Sequence, residues 1–462
     1  DILSPTQISL LEKLSAQNTA SKDDLVTLTK IQTQMINNAL PDYRPPHVQR
    51  ILSEEECQLL DDIDEDLEES IRSSRTLGYI KVLDEYLSAL QHAPNAIKKA
   101  AECYTSVLGA TCQQSASNLM MDLKDVEHQE SVSFNSVIID EAARANPLDL
   151  LIPMSMGKRR IILVGDHRQL PHLLEPKVED KLAEKFELEE THRQMFKKSL
   201  FERLKLSLEL LETEKNQPKR VVMLDTQFRM HPLLGRFVSQ QFYERYDLDP
   251  IKAGFDDAHF EHEIPGYEGK VCGWIEAPAS MGNSSRSNGS LHRAVEADII
   301  AKETKKILSS CPDLSVGVIT FYRAQVDEIL NSMLPIELTE KAENNIQIRP
   351  QWQLTKKEDG EQVERLRVGT VDAFQGKEFD VVLLSMVRTL PSKIDINDDD
   401  SLTKAYGFLR LDNRLNVAMS RQHKLLIMVG DPAIAKHPAA TTAAPSISAF
   451  YELCKESHGI VR

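Results

Sequence analysis

No run of 18 or more consecutive apolar residues occurs in the 462 residues, so no membrane-spanning helix is expected. A basic start followed by an apolar stretch is also missing, so the opening DILSPTQISL does not read as a secretory leader. An initiator Met is absent too, and the expectation is a segment cut from a longer chain. Cysteine is sparse: Cys57, Cys103, Cys112, Cys272, Cys311 and Cys454 are scattered, and none forms a C-x-x-C pair. That argues against structural zinc and against a disulfide framework, and points to a reducing intracellular compartment, cytoplasmic or nuclear. Positive charge is in deficit, with a net charge of −16. Charge alone therefore weighs against a non-specific nucleic-acid binder, because phosphate contacts need local Lys and Arg. The weight is small, since a dense acidic block between Ser53 and Ser70 carries much of the imbalance. Finally, no G-x-x-x-x-G-K-[ST] loop, the element that cradles nucleotide phosphates, occurs anywhere.

What is present divides by texture. Residues 1–100 carry apolar residues at helical spacing in ISLLEKLSAQ, LVTLTKIQTQMINNAL and YIKVLDEYLSALQHA, which predicts a helical insertion or arm. From about Tyr104 short β-rich runs alternate with amphipathic helices: TSVLGATC, VSFNSVIID, RRIILVGD and KRVVMLD. A second set follows Pro232: GKVCGWIEA, LSVGVITFY, LRVGTVDAF, FDVVLLSMV and KLLIMVGD. Alternation of this kind predicts parallel sheets wrapped by helices, hence two α/β lobes facing one cleft. The expected division is 1–100 helical, 101–217 a partial first lobe, 218–440 a second lobe and 441–462 a tail. Two polar stretches, Ala277 to Ser290 and Leu390 to Ser401, read as mobile connections. Ligands of open α/β sheets lie outside the carboxyl ends of the strands, and every motif below is expected at such an end.

Hydrolysing a nucleoside triphosphate needs a divalent metal on the phosphates, a positioned water and positive charge for the transition state. SVIIDEAA ends an apolar run on Asp140 and Glu141, adjacent residues whose side chains diverge: one for a metal, the other for water. IILVGDHRQLP delivers Asp166 and Gln169, and a Gln there can bond both a γ-phosphate and the attacking water. Arg229 in LDTQFRMHP and Arg421 in RLNVAMSR are candidates to fork onto phosphate oxygens. The alternative for each Arg is a carboxylate of its own lobe, such as Asp225 or Asp412. In GTVDAFQGKEFD, Gly376 permits close backbone approach, and Glu378 could meet the nucleotide or its metal.

The ordered set DEAA, GDHRQLP, QFRMHP, TFYRAQ, GTVDAFQGKEFD and RLNVAMSR resembles superfamily 1 helicases of the Upf1-like branch, which includes senataxin. The resemblance runs from about Val107 to Asp431. It implies two RecA-like parallel-sheet lobes, the first incomplete, with an N-terminal helical insertion. It implies ATP and magnesium as cofactors, Asp140 on magnesium through water, Glu141 as catalytic base, Gln169 as γ-phosphate sensor, and Arg229 and Arg421 as arginine fingers. Asp166, Gly376 and Glu378 join the nucleotide site. Thr111 of VLGATC, Tyr322, Arg323 and Gln325 of TFYRAQ, and Thr370 are implied to contact single-stranded DNA or RNA. Phe321 departs from the family's usual Pro, and Ser420-Arg421-Gln422 from its common T-R-A.

The expectation is the C-terminal portion of an ATP-dependent helicase that moves 5′ to 3′. A phosphate-loop segment of the same or another chain would be its partner, and the isolated chain would be inactive. The alternative is a degenerate or split helicase that grips nucleic acid or a partner without hydrolysis. Four retained γ-phosphate-facing groups, Glu141, Gln169, Arg229 and Arg421, favour the first.

Overall fold

The computed structural model describes residues 22–39, 105–117, 120, 134–170, 198–215, 217–342, 345–356 and 362–462, with isolated helical positions in the first hundred. Two compact units are present, Asp1–Val107 and Leu108–Arg462. In the first, helix α1 (Lys22–Ala39) buries Ile31 and leaves Val26 and Met35 exposed. Most of the expected helices ISLLEKLSAQ and YIKVLDEYLSALQHA, and the acidic block, lie outside the described residues.

The second unit begins with the first lobe. Strand β1 (Phe134–Ile139) is joined through helix α2 (Pro147–Ser155) to strand β2 (Gly157–Leu163), and the two strands pair in parallel. Asn146 caps α2 by accepting the Leu148 N–H, and Pro147 occupies the first turn, where its missing N–H costs nothing. Ile139, Ala142 and Leu150 form a small core that Leu200 and Phe201 of helix α3 (Leu200–Lys215) flank. Both faces are partly uncovered: Ile138, 68% exposed, and its register partner Ile162 are exposed on one, and Ile161 on the other. TSVLGATC and KRVVMLD, expected as strands, are not. Residues 105–111 and 217–225 are irregular, and Val222 and Leu224 stand exposed. An apolar run becomes a strand only where a neighbour completes its backbone hydrogen bonds.

The second lobe holds a six-stranded parallel sheet. Its strands are β3 (Cys272–Glu276), β6 (Val316–Thr320), β7 (Leu366–Thr370), β8 (Phe379–Ser385), β9 (Gln422–Gly430) and β10 (Gly459–Val461). Their spatial order is β7-β6-β8-β9-β3-β10. Along β8, Val381 and Leu383 enter one core while Val382 and Leu384 enter the other, as the period of two demands of a sheet buried on both faces. Helices α4 (Pro232–Phe242), α7 (Asp412–Ala418) and α8 (Pro445–Cys454) pack on one face, and α5 (Ala294–Ser310) and α6 (Arg323–Ser332) on the other.

Two expectations are corrected. Residues 441–462 are no tail: α8 buries Phe450 in the core, and β10 adds the edge strand beside β3. The Ser-rich segment is no mobile connection. Strands β4 (Ser285–Ser287) and β5 (Ser290–His292) form a tight hairpin around Asn288 and Gly289.

Candidate nucleotide site between the lobes

Asp140 and Glu141 follow β1 directly, at its carboxyl end. Glu141 adopts a left-handed backbone, φ 51°, sparsely populated for a residue with a side chain and a feature that clusters at functional sites. Asp140 Oδ1 accepts the Glu141 N–H at 2.9 Å, while the Glu141 carboxylate is exposed and accepts Gln375 Nε2 of the second lobe at 3.0 Å.

The loop after β2 carries Asp166 and Gln169. Asp166 Oδ1 accepts the Arg168 N–H at 2.8 Å, and Oδ2 accepts Gln169 Nε2 at 3.0 Å and the Tyr243 hydroxyl. All three donors are protein groups, so Asp166 orients Gln169. Gln169 in turn presents Oε1 across the cleft to Arg421 Nη2 at 3.3 Å.

Arg421 is 2% exposed. Its guanidinium donates only to neutral acceptors: Val417 O at 3.0 Å, Ser420 Oγ at 3.0 Å and Gln169. Burial, and next the nearby Arg229 cation, lower its pKa to about 10. At neutral pH it remains a desolvated cation. Arg229 pairs with Glu378 and donates Nη1 to Ser420 O at 3.3 Å. His423 lies 3.2 Å from the other Glu378 oxygen. Hydrogen bonding from His423 foremost, then from Arg229, holds the Glu378 carboxyl at about 2 against the opposing effect of burial. The alternative of an own-lobe carboxylate is met for Arg229, whose partner is Glu378 rather than Asp225 or Asp412, and among the described residues it is not met for Arg421; Asp225 pairs with Lys252 at 2.7 Å, and Asp412 meets Tyr246 and Arg245. Gly376 supplies a left-handed turn, φ 73°, between Gln375 and Glu378.

The second-lobe residues of this site correct one expectation. Glu378 immediately precedes β8 and Arg421 immediately precedes β9, so they sit at the amino ends of their strands. The carboxyl edge of the same sheet carries the other set. Thr370 ends β7 in register with Thr320 of β6, and Tyr322 and Arg323 follow β6. Tyr322 is buried and its hydroxyl accepts Arg388 Nε at 2.7 Å, whereas the Arg323 side chain is 77% exposed. Gln325 is corrected outright. At 0% exposure, it accepts the Arg293 N–H and donates to Arg293 O and Ser385 Oγ, so it braces loops and presents no surface to a ligand. Thr111 is exposed and hydrogen-bonds Gln114.

Four residues of this candidate site were missed in the sequence. Tyr243 and Asn416 carry apolar neighbours and read as core, yet Asn416 Nδ2 reaches both Arg168 O at 3.1 Å and the Tyr243 hydroxyl at 3.2 Å. Gln375 and His423 stand beside residues that were singled out. Gln375 Oε1 and Arg229 Nε are buried with no hydrogen-bond partner. Buried polar groups are nearly always paired, so a cleft with an orphaned donor and acceptor and a buried cation that, among the described residues, hydrogen-bonds only to neutral groups suits a polar, anionic ligand.

Two family models, both described as AAA domain, match residues 9–174 and 196–433, the second covering just over half the chain. This chain belongs to the Upf1-like branch of the superfamily 1 helicases. The regulator of nonsense transcripts 1 homolog of Neurospora crassa is 31% identical over 309 residues, 66% of this chain and 23% of that protein. Helicase sen1 of Schizosaccharomyces pombe is 29% identical over 311 residues, 66% of this chain and 15% of that protein. The ATP-dependent helicase NAM7 of Saccharomyces cerevisiae is 31% identical over 306 residues, 65% of this chain and 25% of that protein. The Upf1-like chain thus spans a quarter or less of the length of these relatives. No helix among its described residues is long and apolar enough to cross a membrane.

Proposed function

We propose that this chain carries the catalytic half of an ATP-dependent helicase or translocase acting on single-stranded DNA or RNA. The observation that carries the reading is Arg421, a buried cation with only neutral acceptors, joined to Gln169 of the opposite lobe. An anionic γ-phosphate would supply the missing counter-charge. Arginine fingers of this kind contribute about 10³ to 10⁵ in rate. Asp140 would hold magnesium through water, as this ion binds through one or two carboxylates plus substrate phosphates. Bound ATP-magnesium supplies the scissile phosphoanhydride. Glu141 would accept the proton of the attacking water, and Gln169, held by Asp166, would orient it. Arg229 is already neutralised by Glu378, so its role begins when nucleotide competes for that pair.

A phosphate-loop segment, from the same chain or another, would complete the first lobe. The exposed apolar side chains of Ile138 and Ile162 on one face of β1–β2 and of Ile161 on the other support further elements packed over this two-stranded sheet. The test is stimulated phosphate release with magnesium and single-stranded nucleic acid. The 462-residue chain alone is expected to show negligible turnover, and supplying the phosphate-loop segment in cis should create it. Strong turnover by the chain alone, abolished by Glu141→Gln, would refute the need for that segment.

A further inference from the structure

The carboxyl edge of the second-lobe sheet is braced by a buried ion pair outside the nucleotide site. Arg293 Nη1 meets Glu296 Oε1 at 2.8 Å, and both side chains are essentially unexposed. Arg293 also donates to the carbonyls of Ala277, Pro278 and Gly282. Glu296 accepts from Ser385 Oγ at 2.8 Å and the Val387 N–H at 2.7 Å, and Val387 holds a left-handed backbone, φ 67°. A left-handed β-branched residue is a strained outlier, and a buried ion pair is costly to desolvate. Here both serve to fix loops at one edge: 277–282 leading into the β4–β5 hairpin, the start of α6, and the turn after β8.

The hairpin stands against the other two loops. Ser290 Oγ accepts the Ala324 N–H at 3.1 Å, and Ser284 Oγ lies 3.2 Å from Thr389 Oγ1. Asn288 and Gly289 both have positive φ, 48° and 79°, the two-residue turn that matches strand twist and rigidifies a hairpin. A hydroxyl-rich hairpin therefore lies beside the start of α6, next to Arg323. Arg286 on β4 is exposed; its one hydrogen bond is to Gly289 O at 3.5 Å, and among the described residues no carboxylate lies within ion-pair distance. Arg323 meets only Asp327, at 3.7 Å. Arg286, with no carboxylate partner among the described residues, thus stands exposed near Arg323, which is only loosely paired, in a chain whose net charge is −16.

We propose that the β4–β5 hairpin is a backbone clamp for single-stranded nucleic acid, Arg286 of β4 forking onto one phosphate. The ligand chemistry is the sugar-phosphate backbone, common to DNA and RNA, so bases are not read. The proposal rests on the reading of the chain as a single-strand motor.

The test is fluorescence anisotropy of the 462-residue chain with labelled oligo-U and oligo-dT, without nucleotide, across a salt series. Arg286→Ala should weaken binding to both about three- to tenfold and flatten the salt slope by about one, the signature of one lost phosphate contact. Arg286→Lys should recover most of the affinity, and Lys455→Ala, on α8's far end, should change nothing. Loss with oligo-U alone would assign the contact to the 2′-hydroxyl and overturn a backbone clamp. If wild type binds and Arg286→Ala matches it in affinity and slope, the hairpin proposal fails alone. If wild type binds neither oligonucleotide, the single-strand reading fails with it.

Discussion

Arg421 concentrates the argument at the residue scale. A guanidinium that is desolvated yet paired only with neutral oxygens costs folding free energy, and a cost of this kind persists where a ligand relieves it. Arg421→Ala in the completed motor is expected to lower stimulated turnover by about 10³ or more, and Arg421→Lys to rescue little, because an ammonium cannot fork. Nucleotide-free single-strand affinity should move less than about twofold, since the residues proposed to contact the strand lie at the other edge. A parallel loss of both would make Arg421 structural. Glu378 offers a test by pH. Its folded carboxyl sits at about 2, below the ordinary 4.5, so its pairing stabilises the fold fully above the ordinary value. That contribution should fade as pH falls from about 4.5 toward 2. Urea midpoints across this window should fall less steeply in Glu378→Gln than in wild type. Equal slopes would show that His423 and Arg229 do not hold the charge.

The element scale shows what the sequence made legible. The five apolar runs after Pro232 all became strands of one sheet, because runs buried on both faces need no polar alternation to be recognised. VSFNSVIID and RRIILVGD likewise paired as β1 and β2. Motif residues at strand ends were found for the same reason: buried strands end on polar residues, and the polarity is conspicuous. Tyr243 and Asn416 were not found, since a buried Tyr on an amphipathic helix looks like core until its hydroxyl partner is seen. The hairpin was readable in principle from Asn288-Gly289, the strongest short turn signal, but the surrounding serines drew the reading toward a loose loop. The loop after β2 is fastened to α4 and its following turn by Asp166–Tyr243, by Arg168 Nε to Phe242 O at 3.2 Å, and by Arg168 stacked 3.4 Å over the Tyr246 ring. Tyr243→Phe should therefore speed amide hydrogen exchange in residues 165–170 while leaving β8 and β9 unchanged. Unaltered exchange in that loop would mean that Arg168 alone secures it.

At the scale of the molecule, one sheet presents two sets of candidate residues from opposite edges. The amino edge of β8 and β9 meets the first lobe through Gln375–Glu141 and Arg421–Gln169, and the carboxyl edge presents Thr370, Arg323 and the hairpin. The short segment from Thr370 to Glu378 joins the two edges directly, so under the proposed function lobe closure on nucleotide would have a route to the grip on a strand. The central claim is that chemistry requires groups from both lobes at once. The most direct measurement is single-turnover phosphate release by the chain joined to its phosphate-loop segment, alongside binding of a labelled ATP analogue, in wild type, Glu141→Gln and Arg421→Ala. Each substitution, from its own lobe, should reduce release by about a hundredfold or more while analogue affinity stays within a few-fold, and the double variant should lose little beyond the worse single one. Release that survives either substitution, or affinity that collapses in step with release, would contradict the account.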